Sequence, residues 1–371
     1  MKLIRYISVA IAALALMFSG ASQAASSYNF TTCGATGPTG PSQGNCDAAY
    51  SGTTLAGAVT MSGGIQTWTV PTTGTYRIEV SGAKGGDSIA GDNGTFIGGS
   101  GATIGGDFHL TAGEQINILI GQEAPTVPTA PSDSPLSGGG GGSFVWQVTG
   151  NTLLIAAGGG GGAGDGYNSI GGNGADGVAT GAGSLPAGVD VCASLAAPGG
   201  GWTTTYYTCG DFHAGGGAGW NSNGVINADS CSNGTGTDAL SPLNGGTGGE
   251  GNDDLEPETG PGGFGGGGGS ATQCGSTGGG GGGGYTGGAG LGCSATDGCG
   301  PGGGGGGSFN SGANPTALNG ANAGDGVVTI TAVSAAPVAA IPTLSQWALL
   351  MLALMIVGAA GLYTRVSRPQ A

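Results

Sequence analysis

Residues 138–164 read GGGGGSFVWQVTGNTLLIAAGGGGGAG, an apolar stretch of strand character between two runs of five glycines. Glycine loses more backbone freedom on folding than any other residue, so such runs invite disorder. SFVWQV (143–148) and TLLIAA (152–157) argue the reverse, because they pair naturally as strands around Gly150-Asn151. The tracts at 138–142, 158–162, 265–269, 278–284 and 302–307 are pure glycine and lie close to strands or cysteines. Flexible linkers usually mix in serine and other polar residues. Extended threefold glycine helices have no internal hydrogen bonds, so their amides must find partners elsewhere. The sequence therefore predicts a polyglycine-II helix bundle, clamped at its ends by a β-body and by disulfides.

Composition supports an ordered chain. The 92 glycines and 17 prolines exceed a quarter of the 371 residues, a level typical of low-complexity disorder. Yet 38% of the residues are hydrophobic and only 7% charged, whereas disordered chains are charge-rich and poor in apolar residues. All 21 acidic residues lie between Asp47 and Asp325, where Arg77 and Lys84 are the only bases. That balance excludes a nucleic-acid partner, which demands a basic surface.

Further alternating segments complete an all-β expectation. In TWTVPTTGTYRIEV (67–80), Tyr76, Ile78 and Val80 share one face after a Pro71–Gly74 turn, which reads as a hairpin. DFHLTAGEQINILIG (107–121) repeats the pattern about a turn at Thr111–Gly113, and GVVTITAV (326–333) supplies a last strand. Between the two terminal segments no stretch has helical periodicity.

The ends carry addresses. Met1–Ala24 has Lys2 and Arg5, an apolar run Ile11–Phe18, and small residues at Ser22 and Ala24. This is a signal-peptide layout with cleavage after Ala24. Residues 347–363 are apolar throughout and precede Arg365 and Arg368, as expected of one C-terminal transmembrane helix with a basic cytoplasmic end. The expected organisation is a signal peptide (1–24), a cysteine-containing segment (25–64), a glycine-rich β domain (65–333), a linker (334–340) and a C-terminal signal (341–371). Eight cysteines, Cys33, Cys46, Cys192, Cys209, Cys231, Cys274, Cys293 and Cys299, all fall in the exported region. Their even number suggests four disulfides, with sequence neighbours 33–46 and 192–209 the favoured pairs among 105 pairings.

Catalytic chemistry is not expected, and neither is a cofactor. His109 and His213 are the only histidines and read as surface residues. No nucleophile elbow or phosphate loop is present. GGNGADGVA (171–179) fits one nonapeptide calcium repeat, a unit that works in stacked tandem. Glu250, Asp253, Asp254, Glu256 and Glu258 in GEGNDDLEPETG (249–260) offer oxygen ligands to calcium, the plainer reading being a solvated acidic loop. Trp202, Tyr206, Tyr207 and Trp220 are candidate exposed contacts for a ligand, or else packing over the glycine bundle.

Two resemblances add to this. TGTYRIEVSGAKGG (73–86), GGSGATIGGDFHLTAGEQINILIG (98–121), GGGGGSFVW, LLIAAGGGGGAG, GGGGGGSFNSG (302–312) and GDGVVTI (324–330) occur in order. The series resembles the extracellular glycine-rich domain of anaplastic lymphoma kinase and leukocyte tyrosine kinase. The resemblance implies a tumour-necrosis-factor-like β-sandwich bearing a glycine-helix bundle and a ligand-binding role. No kinase domain accompanies it. Ile341, Pro342, Thr343, Leu344 and Trp347, followed by the apolar span and by Arg365 and Arg368, resemble the IPTL-type sorting signal of Gram-negative bacteria, with Ala348 where that family usually has glycine. That resemblance implies the export machinery and an exosortase-type membrane protease as partners, and the inner membrane through the C-terminal helix.

The expected protein is a non-enzymatic, exported structural or adhesive protein. It would be membrane-anchored with its body in the periplasm or at the cell surface, or released to the envelope or matrix. The alternative is a surface binding module for a specific protein or glycan.

Overall fold

The computed structural model describes residues 26–90, 94–127, 136–165, 172–186, 196–201, 214–225, 237–253, 259–273, 276–292, 300–333, 351–356 and 358–359. The body, Ala25–Val333, forms one unit, and the two terminal segments are grouped apart from it.

The described residues form sixteen strands, eleven of them in two antiparallel sheets. In chain order the strands are β1 (Ser27–Phe30), β2 (Val59–Ser62), β3 (Ile65–Thr69), β4 (Gly74–Ser81), β5 (Ser88–Ala90), β6 (Gly94–Phe96), β7 (Gly101–Leu110), β8 (Gln115–Leu119), β9 (Ser143–Gln147) and β10 (Thr152–Ala157). They continue with β11 (Asn252–Asp253), β12 (Ala271–Gln273), β13 (Ser276–Gly278), β14 (Phe309–Asn310), β15 (Ala313–Asn322) and β16 (Val327–Ala332). One sheet runs β1-β16-β4-β7-β15 and the other β14-β10-β9-β8-β3-β2. Strands β5 and β6 pair separately, and β11 to β13 form a small third sheet.

The two large sheets share one core. Ile78, Val80, Ile104, Val328 and Ile330 from the five-stranded sheet are buried with Trp68, Ile116, Ile118, Val145 and Ile155 from the six-stranded one. Trp68 sits among the rings of Tyr28, Phe30 and Tyr76. Each such side chain contributes about 1.5–3 kcal/mol by leaving water. The period-two alternation of β4 matches this one-sided burial, since Arg77 and Glu79 face away from Tyr76, Ile78 and Val80.

Two expected hairpins are instead crossings between sheets. Strands β3 and β4 lie in different sheets, as do β7 and β8, so the turns at 70–73 and 111–114 are corners of the sandwich. The corners hold each other: the Val70 amide donates to the Glu114 carbonyl, and the Gly113 amide to the Val70 carbonyl. Apolar faces on both flanking strands can meet one core only if the chain changes sheets between them. The third pair, β9 and β10, is a hairpin as expected.

One helix departs from the all-β expectation. Helix α1 (Gln43–Ala49) begins at Ser42, whose side chain accepts from the Asn45 amide while the Asn45 side chain accepts from the Ser42 amide. This reciprocal cap is a helix-start signature independent of hydrophobic period. The helix delivers buried Cys46 to Cys33, and the two are disulfide-bonded.

Strand β9 and most of β10 are buried on both faces, which explains the continuous apolar run in β9. Val145 faces the shared core, whereas Phe144 and Trp146 pack with Leu119, Ala156, Trp220 and Phe264 in a second cluster. Over that second face lie the glycine tracts. The amides of segment 158–164 leave in three directions that repeat every third residue. Gly159 and Gly162 donate to Gly283 and Gly280, Gly160 and Ala163 to Ala83 and Gly86, and Gly161 and Gly164 to Ala175 and Gly172. Its carbonyls accept on three further sides. Gly306 and Gly303 donate to Gly159 and Gly162, Ala102 and Gly99 to Gly158 and Gly161, and Gly140 and Ser137 to Gly160 and Ala163. One segment is thereby bonded to six neighbours at 2.7–3.0 Å.

Segment 279–285 repeats the arrangement. Gly280 and Gly283 donate to Ser137 and Gly140, Gly281 and Gly284 to Gly215 and Ala218, and Gly282 and Tyr285 to Gly304 and Gly307. A strand ladder has period two and two neighbours; here the period is three and the neighbours surround the segment. At the glycines such spacing leaves no room for side chains. A Cβ at Gly160 would stand 1.8 Å from the Gly99 carbonyl oxygen, at Gly161 2.0 Å from that of Gly303, and at Gly282 2.3 Å from that of Gly159.

At the C-terminus, residues 351–356 and 358–359 are helical. Among the described residues no helix is long and apolar enough to cross a membrane, and most of the expected span 347–363 lies outside them.

Gly161→Ala should destabilise the body by about 3 kcal/mol or more, since the added carbon meets backbone on a side that cannot yield. Gly44→Ala, on the exposed face of α1 with open space at its Cβ, should stabilise by about 0.5–1 kcal/mol. Denaturant unfolding of both variants checks the pair, and equal effects would refute a close-packed backbone interior.

Candidate functional site

Where segment 82–86 leaves β4 and enters the glycine array, the chain carries one of the body's two bases. Lys84 is 8% exposed. Its ammonium donates to the Asp87 carboxylate and to the Gly85 carbonyl at 3.3 Å, and lies 3.5 Å from Glu123. The Glu123 amide donates to Asp325, whose other oxygen accepts from the Thr32 hydroxyl. Four distant stretches of chain thus meet around a single cation. Burial pushes the Glu123 carboxyl above its usual range, opposed by Lys84 and reinforced by the negative charges of Asp325 and Asp87. Its groups are engaged with one another and with the backbone, so the knot acts as a structural tie.

On the outer face of the five-stranded sheet, Asp107 accepts from the side chains of Asn314 at 2.8 Å and Arg77 at 3.2 Å. The Asn314 hydrogen bond, followed by Arg77, holds the Asp107 carboxyl below the ordinary carboxylate range. Arg77 also donates to the Thr316 hydroxyl and the Asn314 carbonyl, so its guanidinium is occupied by the fold. Nearby His109 is exposed, with no acid–base partner arrayed around it among the described residues.

The expected site residues divide sharply. Cys33 and Cys46 form the expected bridge, whereas Cys192, Cys209, Cys231, Cys274, Cys293 and Cys299 lie outside the described residues. Trp220, read either as an exposed contact or as packing, is buried and packs: it stacks on Phe144 and meets Trp146 edge-on, because the second face of β9 requires an apolar cover. Trp202, Tyr206, Tyr207 and His213 lie outside the described residues. Of the calcium candidates, Glu250 is exposed and Asp253 sits on β11, while Asp254, Glu256 and Glu258 fall outside; among the described residues no group of three ligands could hold a metal. In the nonapeptide-like stretch, the Asn173 and Asp176 side chains accept the amides of Ile97 and Ser100. They therefore act as backbone caps at the edge of the glycine array. Ala24, Ile341, Pro342, Thr343, Leu344, Trp347, Arg365 and Arg368 also lie outside the described residues.

Lys84→Met should cost about 2–3 kcal/mol, below a fully buried pair because the acidic partners are partly solvated. The Glu123 effect has the opposite sign from an ordinary ion pair. A carboxyl whose folded pKa is raised contributes fully below its ordinary value of 4.5 and loses that contribution as pH rises through the folded value. Glu123→Gln should therefore gain stability relative to the parent as pH increases from 4.5 through that range. A pH series of unfolding midpoints measures it, and a difference independent of pH would refute the assignment.

Comparison with known proteins places the two ends of the argument. Residues 339–368 match the IPTL-CTERM motif, which spans every sorting residue named above. That motif implies an exported, envelope-attached protein handled by an exosortase-type membrane protease. The chain is also similar to the leukocyte tyrosine kinase receptor of Mus musculus, 40% identical over 97 residues, or 25% of this chain. It spans 11% of that receptor's length, so the similarity concerns a part of it.

Proposed function

We propose that the protein is a non-enzymatic structural or adhesive component of the bacterial cell surface or extracellular matrix, delivered by its C-terminal signal. The single observation that carries this reading is the IPTL-CTERM motif at 339–368, which follows directly on a body built for rigidity. The threefold, six-neighbour hydrogen bonding supports treating the glycine segments as a polyglycine-II bundle. The two antiparallel sheets around one core support a tumour-necrosis-factor-like sandwich beneath it. Such a body would be exported through a cleaved signal peptide, held at the inner membrane by residues 347–363, and then passed to the envelope.

A second reading, a binding module for a specific protein or glycan, draws support from the 40% identity with part of a receptor. That similarity carries no kinase activity to this chain. Retention of the surface layer's mechanical or adhesive properties on deletion of the gene would count against the first reading. Loss of a single high-affinity partner alone would favour the second.

Mass spectrometry of the mature protein from its native envelope should give a C-terminus at or near Ile341–Trp347. A terminus at Ala371 would rule out processing at the motif.

A further inference from the structure

Residues of the segment 172–178 line an open cleft of about 550 Å³, a size suited to a small ligand. Half-buried Phe96 stands on one side, seated so closely on Gly172 that a Cβ there would lie 2.4 Å from the ring. Leu185 and Pro186 contribute to the lining, with Asn319 from β15. Three polar side chains in the lining are fixed by one end only. Asn173 Oδ1 accepts from the Ile97 amide, Asp176 Oδ1 from the Ser100 amide, and Asn319 Oδ1 from the Ala179 amide. The remaining ends, Asn173 Nδ2, Asp176 Oδ2 and Asn319 Nδ2, have no partner among the described residues, and all three residues are exposed.

The geometry points to a binding site for a neutral carbohydrate, and we propose that function for the cleft. The inference rests on the adhesive reading above and names its ligand class. Two amide donors and one carboxylate acceptor suit hydroxyl groups, each of which both donates and accepts. Anchoring one end of each side chain lowers the entropy lost when the other end engages. The electron-rich face of an aromatic ring complements the C–H face of a sugar. Charge narrows the class further. No lysine or arginine lines the cleft, and the chain carries a formal charge of −15, so sulfated, phosphorylated and uronic-acid ligands are disfavoured. Among the described residues the lining holds a single carboxylate with neutral amides, too sparse for a metal ion.

The test uses the full chain, purified in detergent, on an array of neutral glucose, galactose, mannose and N-acetylglucosamine oligosaccharides. Sulfated and uronic-acid chains and a basic peptide share the array. Binding to at least one neutral oligosaccharide is expected, with little dependence on salt. Asp176→Asn and Asn319→Asp keep the Oδ1 acceptor for the backbone amide but exchange the free acceptor or donor, and each should weaken binding roughly tenfold. Phe96→Ala should abolish it, and unchanged melting temperatures for the two isosteric variants exclude a folding defect. The proposal is overturned by binding confined to anionic chains or the basic peptide, by neutral binding that survives all three substitutions, or by none at all. Cells that adhere while the protein shows no neutral-glycan binding would sink the ligand and leave the adhesive role standing; cells that fail to adhere despite glycan binding would do the reverse.

Discussion

The constraint on which the rest of the structure depends is the approach of one backbone to another at distances a methyl group would forbid. At Gly160, Gly161 and Gly282 a Cβ would fall 1.8–2.3 Å from a neighbouring carbonyl oxygen. Ordinary cores hold elements about 10 Å apart with interdigitated side chains. Here the filling between segments is the hydrogen bond itself. Because the backbone offers one donor and one acceptor per residue, a period of three on each side distributes them to six neighbours. Along 159–164 the interior is therefore polar in composition yet paired at every amide, and a buried pair costs far less than a buried orphan.

Such an interior is entropically expensive, since most residues in it are the type that loses most freedom. It cannot nucleate itself and needs a frame already in place. The sandwich supplies that frame. Tracts 138–142 and 158–162 are the two ends of one hairpin, β9–β10, so their separation is set by a ladder whose side chains are buried on both faces. Segments 82–86 and 98–100 border β4 and β7 in the other sheet, and Lys84 binds that junction to Asp87 and Glu123. The frame closes late in the chain: β1 pairs with β16, through Ser27 with Thr331 and Phe30 with Val328. Complete folding thus requires residues 27–30 and 327–332 together, which places it after synthesis of the whole body.

Much of this was legible in the sequence where a local pattern had one structural solution. The alternation at Tyr76, Ile78 and Val80 gave a one-sided strand, and SFVWQV with TLLIAA around Gly150-Asn151 gave the β9–β10 hairpin. Purity of the glycine tracts separated them from linkers. What could not be read was non-local. Pro71–Gly74 and Thr111–Gly113 carry turn chemistry that serves a hairpin or a sandwich corner equally well, and only the shared core decides. Helix α1 was missed because its signal lies in the Ser42–Asn45 cap and not in an apolar stripe. Trp220 stayed open between contact and packing because nothing near it in sequence reveals Phe144 and Trp146 as its neighbours. The cleft is the extreme case, drawing Phe96, Asn173 and Asn319 from three separated regions.

The same constraint says where recognition must reside. A bundle packed at backbone distance exposes no side chains from its interior and can distinguish nothing by itself. Selectivity has to come from its boundary, where a segment has neighbours on some sides only and larger residues fit again. Segment 172–178 is such a boundary. Gly172 and Ala175 still bond inward to Gly164 and Gly161 through their carbonyls, while Asn173 and Asp176 turn outward and cap the amides beside β6 and β7. Alternation of inward backbone and outward polar side chain is what a threefold segment produces at an edge. A rigid, side-chain-free interior thereby holds a few polar groups in fixed positions at its rim, without the rotameric freedom that a loop would allow them.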